Sequence, residues 1–573
     1  MNIMHKKLLY ILPVVIFIYP FFLIWQGGDL TDSGYHIWHY KYFFNNLLKG
    51  ETNSSFFLTN FLGALWYKTF SNGTIISFRI LFSFFTVGIA FLTFKILNEK
   101  TDNKIILLFG ILCGISFGIR YSSIFFSYDI ASIFFLFLMS YLLIKYFELK
   151  KVEYLFVSGM VLFLSFITRL PNLVFLIFLP IIFFYHYFYN MKTESFFYFK
   201  IKKVIIDYTI FCFGFFLFCG IFYGFLRSYD IFNIYLENFN ILKIDVGSSY
   251  SFSNLLMSYY RDLISFFPHF ILVNFIILLI SILYDSAKSE KTKLLFFLLP
   301  LILLFLAVII IYGTEFSYKS NIKYLIPAFC SLPLLLSIVW KDKYSTSSLV
   351  LILVAITQVL GSNTGIFLKL SYGFIALIPL SLIILYENRV VHFGNIKIST
   401  KSIYVVGIFF ILFFSLWSTF GTLYHVDKGL RSRIRSIYPI EHEKMKGIFT
   451  TKTNARYIKI LTTSIRDNIK KNNTLFIYGN IPMLYYLTEK EPSIRQIWLA
   501  NNRIKVDKLF SDLEASIVHK KKYPMIIDTK HNIMGKDGQK KLDTFLKKYN
   551  FYIVDDNQFY AVWKTHNSLN HND

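Results

Sequence analysis

The feature that most limits this chain is a series of apolar runs repeated from residue 8 to residue 420. Each is near the ~20 residues that a helix needs to cross the hydrocarbon of a bilayer. They stand at 8–26, 74–95, 103–120, 130–146, 154–168, 171–190, 204–225, 264–284, 294–312, 323–340, 347–361, 372–386 and 402–420. A water-soluble chain of 573 residues would carry more than 16% charged residues and would not repeat such runs. The pattern predicts a polytopic α-helical membrane protein with about thirteen transmembrane helices. The first run follows His5-Lys6-Lys7 and exceeds the apolar core of a cleavable signal, so it reads as a retained anchor.

Charge gives the orientation. The net charge of +25 is spread as short basic clusters between the apolar runs, which fits loops beside anionic lipid and not nucleic acid. The short segments 95–104, 145–153, 192–203, 285–293, 341–343 and 387–401 are the lysine-rich ones. The alternate segments 27–73, 120–129, 227–262, 313–322 and 361–371 are mostly longer and poorer in Lys and Arg. The positive-inside rule then places the N-terminus in the cytoplasm of a cell with this chain in its inner (plasma) membrane. An odd number of spans puts the C-terminus outside. Cys113, Cys212, Cys219 and Cys330 lie within apolar runs without metal-ligand spacing and imply no disulfide framework.

The outside segments hold the unusual polar residues. Gln26 to Gly50 packs Asp29, Asp32, His36 and His39 among Tyr35, Trp38, Tyr40 and Tyr42, directly after the first run. An Asp at the bilayer centre costs about 2.5–3.5 kcal/mol on insertion scales, so acids at a membrane face point to function. The plainer reading makes Asp32 the cap of a helix beginning near Ser33. Residues 34–49 alternate at helical spacing and predict an amphipathic interfacial helix. Tyr128-Asp129 closes a short second loop that begins at Arg120; Arg169 precedes Pro171; Arg261, Lys319 and Lys323 stand at other outside ends. Each cation is individually more often a snorkelling helix-end residue than a phosphate ligand.

After about residue 424 the composition turns polar. Strand candidates at 474–478, 495–499, 524–528, 551–555 and 559–563 interleave with helix candidates at 482–488, 504–518 and 537–549. This predicts two domains: 1–424 in the membrane and 425–573 as an extracytoplasmic α/β domain.

Together these residues resemble the GT-C superfamily of integral-membrane glycosyltransferases, near bacterial relatives of protein O-mannosyltransferases and lipid A aminoarabinose transferases. The resemblance rests on Asp32-Ser33-Gly34-Tyr35-His36, Tyr128-Asp129, Thr168-Arg169-Leu170-Pro171 and Tyr478-Gly-Asn-Ile-Pro482-Met-Leu-Tyr485-Tyr-Leu. It departs at Ser33, where many members carry a second acid. It implies transfer of a hexosyl or pentosyl sugar from a polyprenyl-phosphate donor to a hydroxyl of a glycan, lipid or protein acceptor. Such chemistry needs a base for the acceptor and cations for the leaving phosphate, roles that suit Asp32 and the outside Arg and Lys residues. Asp129 is expected to position the acceptor, or a divalent metal if one is used. Arg169, Arg261, Lys319, Lys323, Arg120, Tyr35 and His36 are the expected substrate contacts. An O-antigen-type polymerase or ligase, and a lipid-linked sugar transporter or flippase, are the competing readings. The terminal α/β domain counts against the first, and nearly uncharged spans without repeated halves count against the second.

Overall fold

The computed structural model describes residues 3–48, 54–237, 252–287, 321–421, 432–468, 474–520 and 522–565, with positions 72, 121–123, 191–196, 362–364, 388–389, 394–395, 495, 498, 500–505 and 531–534 excepted and a few positions between 289 and 302 added. Helices α1 (Ile3–Phe22), α2 (Asp32–Leu48), α3 (Phe57–Thr69), α4 (Ile75–Leu97), α5 (Lys104–Arg120), α6 (Tyr128–Leu149), α7 (Val152–Thr168), α8 (Phe175–Phe184) and α9 (Phe197–Ser228) follow in order. Further helices run over Phe252–Ser286, Leu325–Trp340, Ser345–Val359, Phe374–Tyr386 and Thr400–Gly421. Among the described residues, Ile75–Leu97, Tyr128–Leu149, Leu170–Tyr189, Phe197–Ser228 and Ser253–Ser286 are long and apolar enough to cross a membrane; shorter apolar helices occupy most other expected runs. The run at 294–312 falls mostly outside the described residues.

Small residues let the helices close up. Gly110 and Gly114 stand four apart on α5, where a Cβ would lie 2.5 Å from Pro379 Cα and from the Phe374 carbonyl oxygen. Bilayer lipid gives apolar helices little reason to associate, so such close backbone approach is a main source of cohesion.

The first acidic loop is more built than the sequence implies. It carries α3 as well as α2, and α2 packs Ile37, Trp38, Tyr40 and Phe43 away from solvent. Gly63 of α3 makes room for the Tyr40 ring, which a Cβ would approach to 2.4 Å.

The hairpin β1 (Val390–Phe393) and β2 (Ile396–Ser399) precedes the Thr400–Gly421 helix. Beyond it come the short pair β3 (Tyr438–Pro439) and β4 (Phe449–Thr450), then a four-stranded sheet of order β5-β6-β8-β7. In that sheet β5 (Leu475–Tyr478) runs parallel to β6 (Met525–Asp528), and β8 (Ala561–Thr565) is antiparallel to both β6 and β7 (Phe551–Asp556). Phe476, Leu509, Leu513, Ile526, Leu542 and Phe545 form its core. The strand expected at 495–499 is absent among the described residues. Residues 491–493 take the free edge of β5 instead, through Leu475 N–H to Glu491 O and Ser493 N–H to Leu475 O, both 2.9 Å. Ile497 and Leu499, two residues apart, are then buried as loop side chains, which mimics strand alternation.

Candidate active site

The loop between α1 and α2 is gripped from two sides. Arg79, buried in α4, donates to the carbonyls of Ile24 (2.7 Å), Gln26 (2.9 Å) and Gly27. Three carbonyl partners account for a charge that otherwise has no place in a span. On the other side Phe449 of β4 exchanges hydrogen bonds with the loop, its N–H to Trp25 O (2.7 Å) and its carbonyl from Gly27 N–H (2.8 Å).

Within this grip Asp29 does the capping. Its Oδ1 accepts from Thr31 N–H (2.9 Å) and hydroxyl (2.7 Å), and its Oδ2 from Ser33 N–H (2.9 Å) and hydroxyl (2.8 Å). The Ser33 amide in the first turn of α2, and the Thr31 amide just before it, are thereby satisfied by Asp29. Asp32, half-buried, is the first residue of the helix.

One turn later His36 meets Tyr128, ring centroids 5.3 Å apart and edge-on, and one turn beyond that Tyr40 donates to Phe126 O at 2.9 Å. The 32–36–40 face of α2 thus lies on the start of α6. Tyr128 also stacks on Phe56 at 4.1 Å. Lys369 Nζ lies 5.7 Å from the Tyr128 ring centroid, and the charges of Asp129, Asp32 and Arg169 also reach its hydroxyl.

His36 is 4% exposed, and burial pushes its imidazole down to about 4 against the opposing pull of Asp129 and Asp29. It is therefore neutral at pH 7. Between about 4 and the ordinary 6.5 the folded chain binds fewer protons than the unfolded chain. The His36 contribution to stability is full above about 6.5 and is lost as pH falls toward 4, by up to roughly 3 kcal/mol. Melting curves from pH 7 to 4.5 should fall less steeply for His36→Gln than for the parent protein. Equal slopes would mean that His36 is not held neutral.

Asp129 pairs with a residue not singled out from the sequence. Its Oδ2 accepts from Lys369 Nζ at 2.6 Å, while its buried Oδ1 has no hydrogen-bond partner among the described residues. Burial works against the Lys369 ammonium, but Asp129 and Tyr128 together raise its pKa above the ordinary lysine value. Lys369 ends the single turn Ile366–Lys369, and Asp262 holds that turn. Asp262 Oδ2 accepts from Ile366 N–H (2.7 Å) and Phe367 N–H (3.0 Å); its Oδ1 takes Lys323 Nζ (2.7 Å) and the Tyr324 hydroxyl (2.5 Å). Gly365 has φ +83°, and a Cβ there would stand 2.6 Å from Asp262 Oδ2, so both conformation and space call for glycine.

Arg169 follows the last turn of α7 and is 3% exposed. Its guanidinium donates to Leu360 O (2.6 Å) and Asn172 Oδ1 (3.4 Å). Asn172 is itself fixed by Ser132 and Ser165 hydroxyls at 2.6 and 2.7 Å. Among the described residues no carboxylate lies within ion-pair distance of Arg169, although its charge reaches Asp129.

The other expected contacts are placed as follows. Lys323 is paired with Asp262 at 2.7 Å. Arg261 is exposed, one residue from that buried acid. Tyr35 is half-buried and edge-on to His39 at 4.6 Å. Lys319 and the Arg120 side chain lie outside the described residues. Among the described residues no group of three or more His, Cys, Asp or Glu side chains is arranged to hold a metal, and Asp129 already carries an ammonium. Among the described residues, these side chains do not assemble a shell for a divalent ion.

The Tyr478–Leu487 segment docks on α2. A Cβ on Gly34 would meet Met483 N at 2.1 Å, and Met483 N–H donates to Leu30 O at 3.1 Å. Tyr486 donates to Gly73 O (2.6 Å), and Glu489 pairs with Lys41 (3.1 Å) and Lys444 (2.6 Å). Those two lysines hold the Glu489 carboxyl down at about 2.

No family model matches this chain, and no curated protein matches it. Among solved structures it aligns with the archaeal oligosaccharyltransferase AglB from Archaeoglobus fulgidus in complex with an inhibitory peptide and a dolichol-phosphate, at 12% identity and TM-score 0.46, covering 98% of this chain and 74% of that one. It also aligns with an Archaeoglobus fulgidus oligosaccharyltransferase in complex with Zn and sulfate, at 10% identity and TM-score 0.48, covering 97% of this chain and 73% of that one. A third is ArnT from Cupriavidus metallidurans bound to undecaprenyl phosphate, at 11% identity and TM-score 0.36, covering 97% of both chains. The chain is similar in its course, and not in its residues, to an oligosaccharyltransferase and to ArnT, each solved with a lipid phosphate.

Proposed function

We propose that this chain is a membrane glycosyltransferase that moves a sugar from a polyprenyl-phosphate donor to an acceptor hydroxyl at the extracytoplasmic face. Arg169 carries this reading. It is a buried guanidinium that meets only neutral partners among the described residues, beside the Lys369–Asp129 pair and at the end of the bundle that bears Asp32. A phosphate dianion or diester is the ligand such a site accepts best, because charge-assisted hydrogen bonds are about twice as strong as neutral ones.

In the proposed reaction Asp32 takes the acceptor proton, and the acceptor oxygen attacks the anomeric carbon. The bond to the phosphate oxygen breaks, and the polyprenyl phosphate leaves onto Arg169 and Lys369. Asp129 and Asp262 act through Lys369 as positioning residues. His36 and Tyr128 meet edge-on beside these charges. Residues 1–424, with about thirteen spans, hold this machinery, and residues 425–573 cover α2 without supplying a reacting group. The acceptor is a glycan, lipid or protein hydroxyl.

Purified protein in liposomes should release polyprenyl phosphate from a panel of polyprenyl-phosphate hexoses and pentoses when membrane-extract acceptors are added. A folded protein that consumes none of them would sink the assignment. The sidedness is checked separately in a cysteine-free background. A membrane-impermeant thiol reagent on intact cells should label Lys459→Cys and spare Lys291→Cys, and the reverse would place Asp32 on the wrong side.

A further inference from the structure

Helices α1, α4 and α5 leave a cavity of about 660 Å³ between them, far from the charged cluster. Leu9, Ile16, Val87, Phe94 and Leu108 are among its walls, and Lys104 is the one charged residue that lines it among the described residues. Phe17 and Phe91, also in the lining, are 51% and 57% exposed, so the cavity opens sideways between helices. Its volume is that of a site for a sizeable ligand, roughly 300–1,000 Å³. Water is a poor occupant, because it needs two to four polar partners and the walls are apolar.

The cavity has a polarity along the membrane. On α1 it extends from Leu9 to Phe17, about 12 Å of helix and less than half of the ~30 Å hydrocarbon thickness. It begins where α1 and α5 start and α4 ends, opposite the end where Arg79 grips the acidic loop. At that rim stand Lys104, exposed Lys7, and Lys95, whose ammonium lies 5.4 Å from the Phe91 ring. The acids nearby are Glu99, paired with Lys145 at 2.6 Å, and exposed Asp102. An apolar slot one leaflet deep with a lysine rim is complementary to a lipid tail below an anionic headgroup.

We propose that this cavity binds one anionic phospholipid from the leaflet on the lysine-rich side, with an acyl chain in the slot and the phosphate at Lys104 and Lys95. The site is separate from the donor site proposed above, since the cluster around Tyr128 lies at the other end of the bundle.

Native mass spectrometry of the full chain can test this with phosphatidylglycerol, phosphatidylcholine and polyprenyl phosphate offered in equal amounts. Phosphatidylglycerol should be retained over phosphatidylcholine, with about a fivefold change for each lysine contributing near an anionic headgroup. Lys104→Glu, at an exposed helix start, should abolish that preference. Ala90→Phe, which fills the slot, should lower retention of phosphatidylglycerol while leaving headgroup-independent lipid binding. Retention blind to the headgroup, or a preference that survives both variants, would overturn the proposal. Displacement of phosphatidylglycerol by polyprenyl phosphate in the parent but not in Ala90→Phe would overturn it too, by giving the slot to the donor's tail.

Discussion

Asp32→Asn is expected to lower turnover by ~10²–10⁴-fold, about 3–5 kcal/mol in barrier, with little change in stability or donor affinity. The amide keeps the size and hydrogen-bonding reach of the side chain but cannot take a proton. The four hydrogen bonds that Asp29 receives from Thr31 and Ser33 at the start of α2 are untouched by this substitution. Asp29→Asn should show the opposite profile, a stability loss of about 1–2 kcal/mol with turnover largely kept in the folded fraction. Rates of donor consumption and melting temperatures measured on both variants separate the two roles. Similar turnover in Asp32→Asn and the parent would remove the base.

Lys369→Met is expected to cost about 2–4 kcal/mol of stability, because it strands the Asp129 carboxylate. Both partners of this 2.6 Å pair are mostly buried, with side-chain exposures of 24% and 17%, so the figure is set below that of a fully buried pair. Removing both charges in Lys369→Met/Asp129→Leu should recover most of the loss, since two apolar groups need no partner. Chemical denaturation of the two variants measures this directly. A double variant as unstable as the single one would show that shape, and not the stranded charge, sets the cost.

The helical frame was legible because twenty apolar residues in a row have few fates besides a membrane helix. The acids Asp29, Asp32 and Asp129 were legible because carboxylates at the ends of such runs are unusual. What α2 touches was not, since Tyr40 against Gly63 and Gly34 against Met483 are long-range contacts that no local period records. Lys369 escaped notice for the same reason. It sits in a short segment between spans, and its partner is 240 residues away. Arg261 and Asp262 show how helix phase decides between neighbours: on Phe252–Ser286 adjacent residues point about 100° apart, which turns Arg261 out and Asp262 in. The buried carboxylate is the member of that pair that holds the Ile366–Lys369 turn.

The proposed receipt of a lipid phosphate by Arg169 and Lys369, beside Asp32, is the step on which the transfer turns. It is tested most directly by the affinity for polyprenyl phosphate of the parent protein, Arg169→Gln and Asp32→Asn, each shown by melting to be folded. The expected result is about tenfold or greater weakening in Arg169→Gln, the worth of a charged hydrogen bond at ~1.5–3 kcal/mol, and parent-like binding in Asp32→Asn. Parent-like binding by folded Arg169→Gln would contradict the claim.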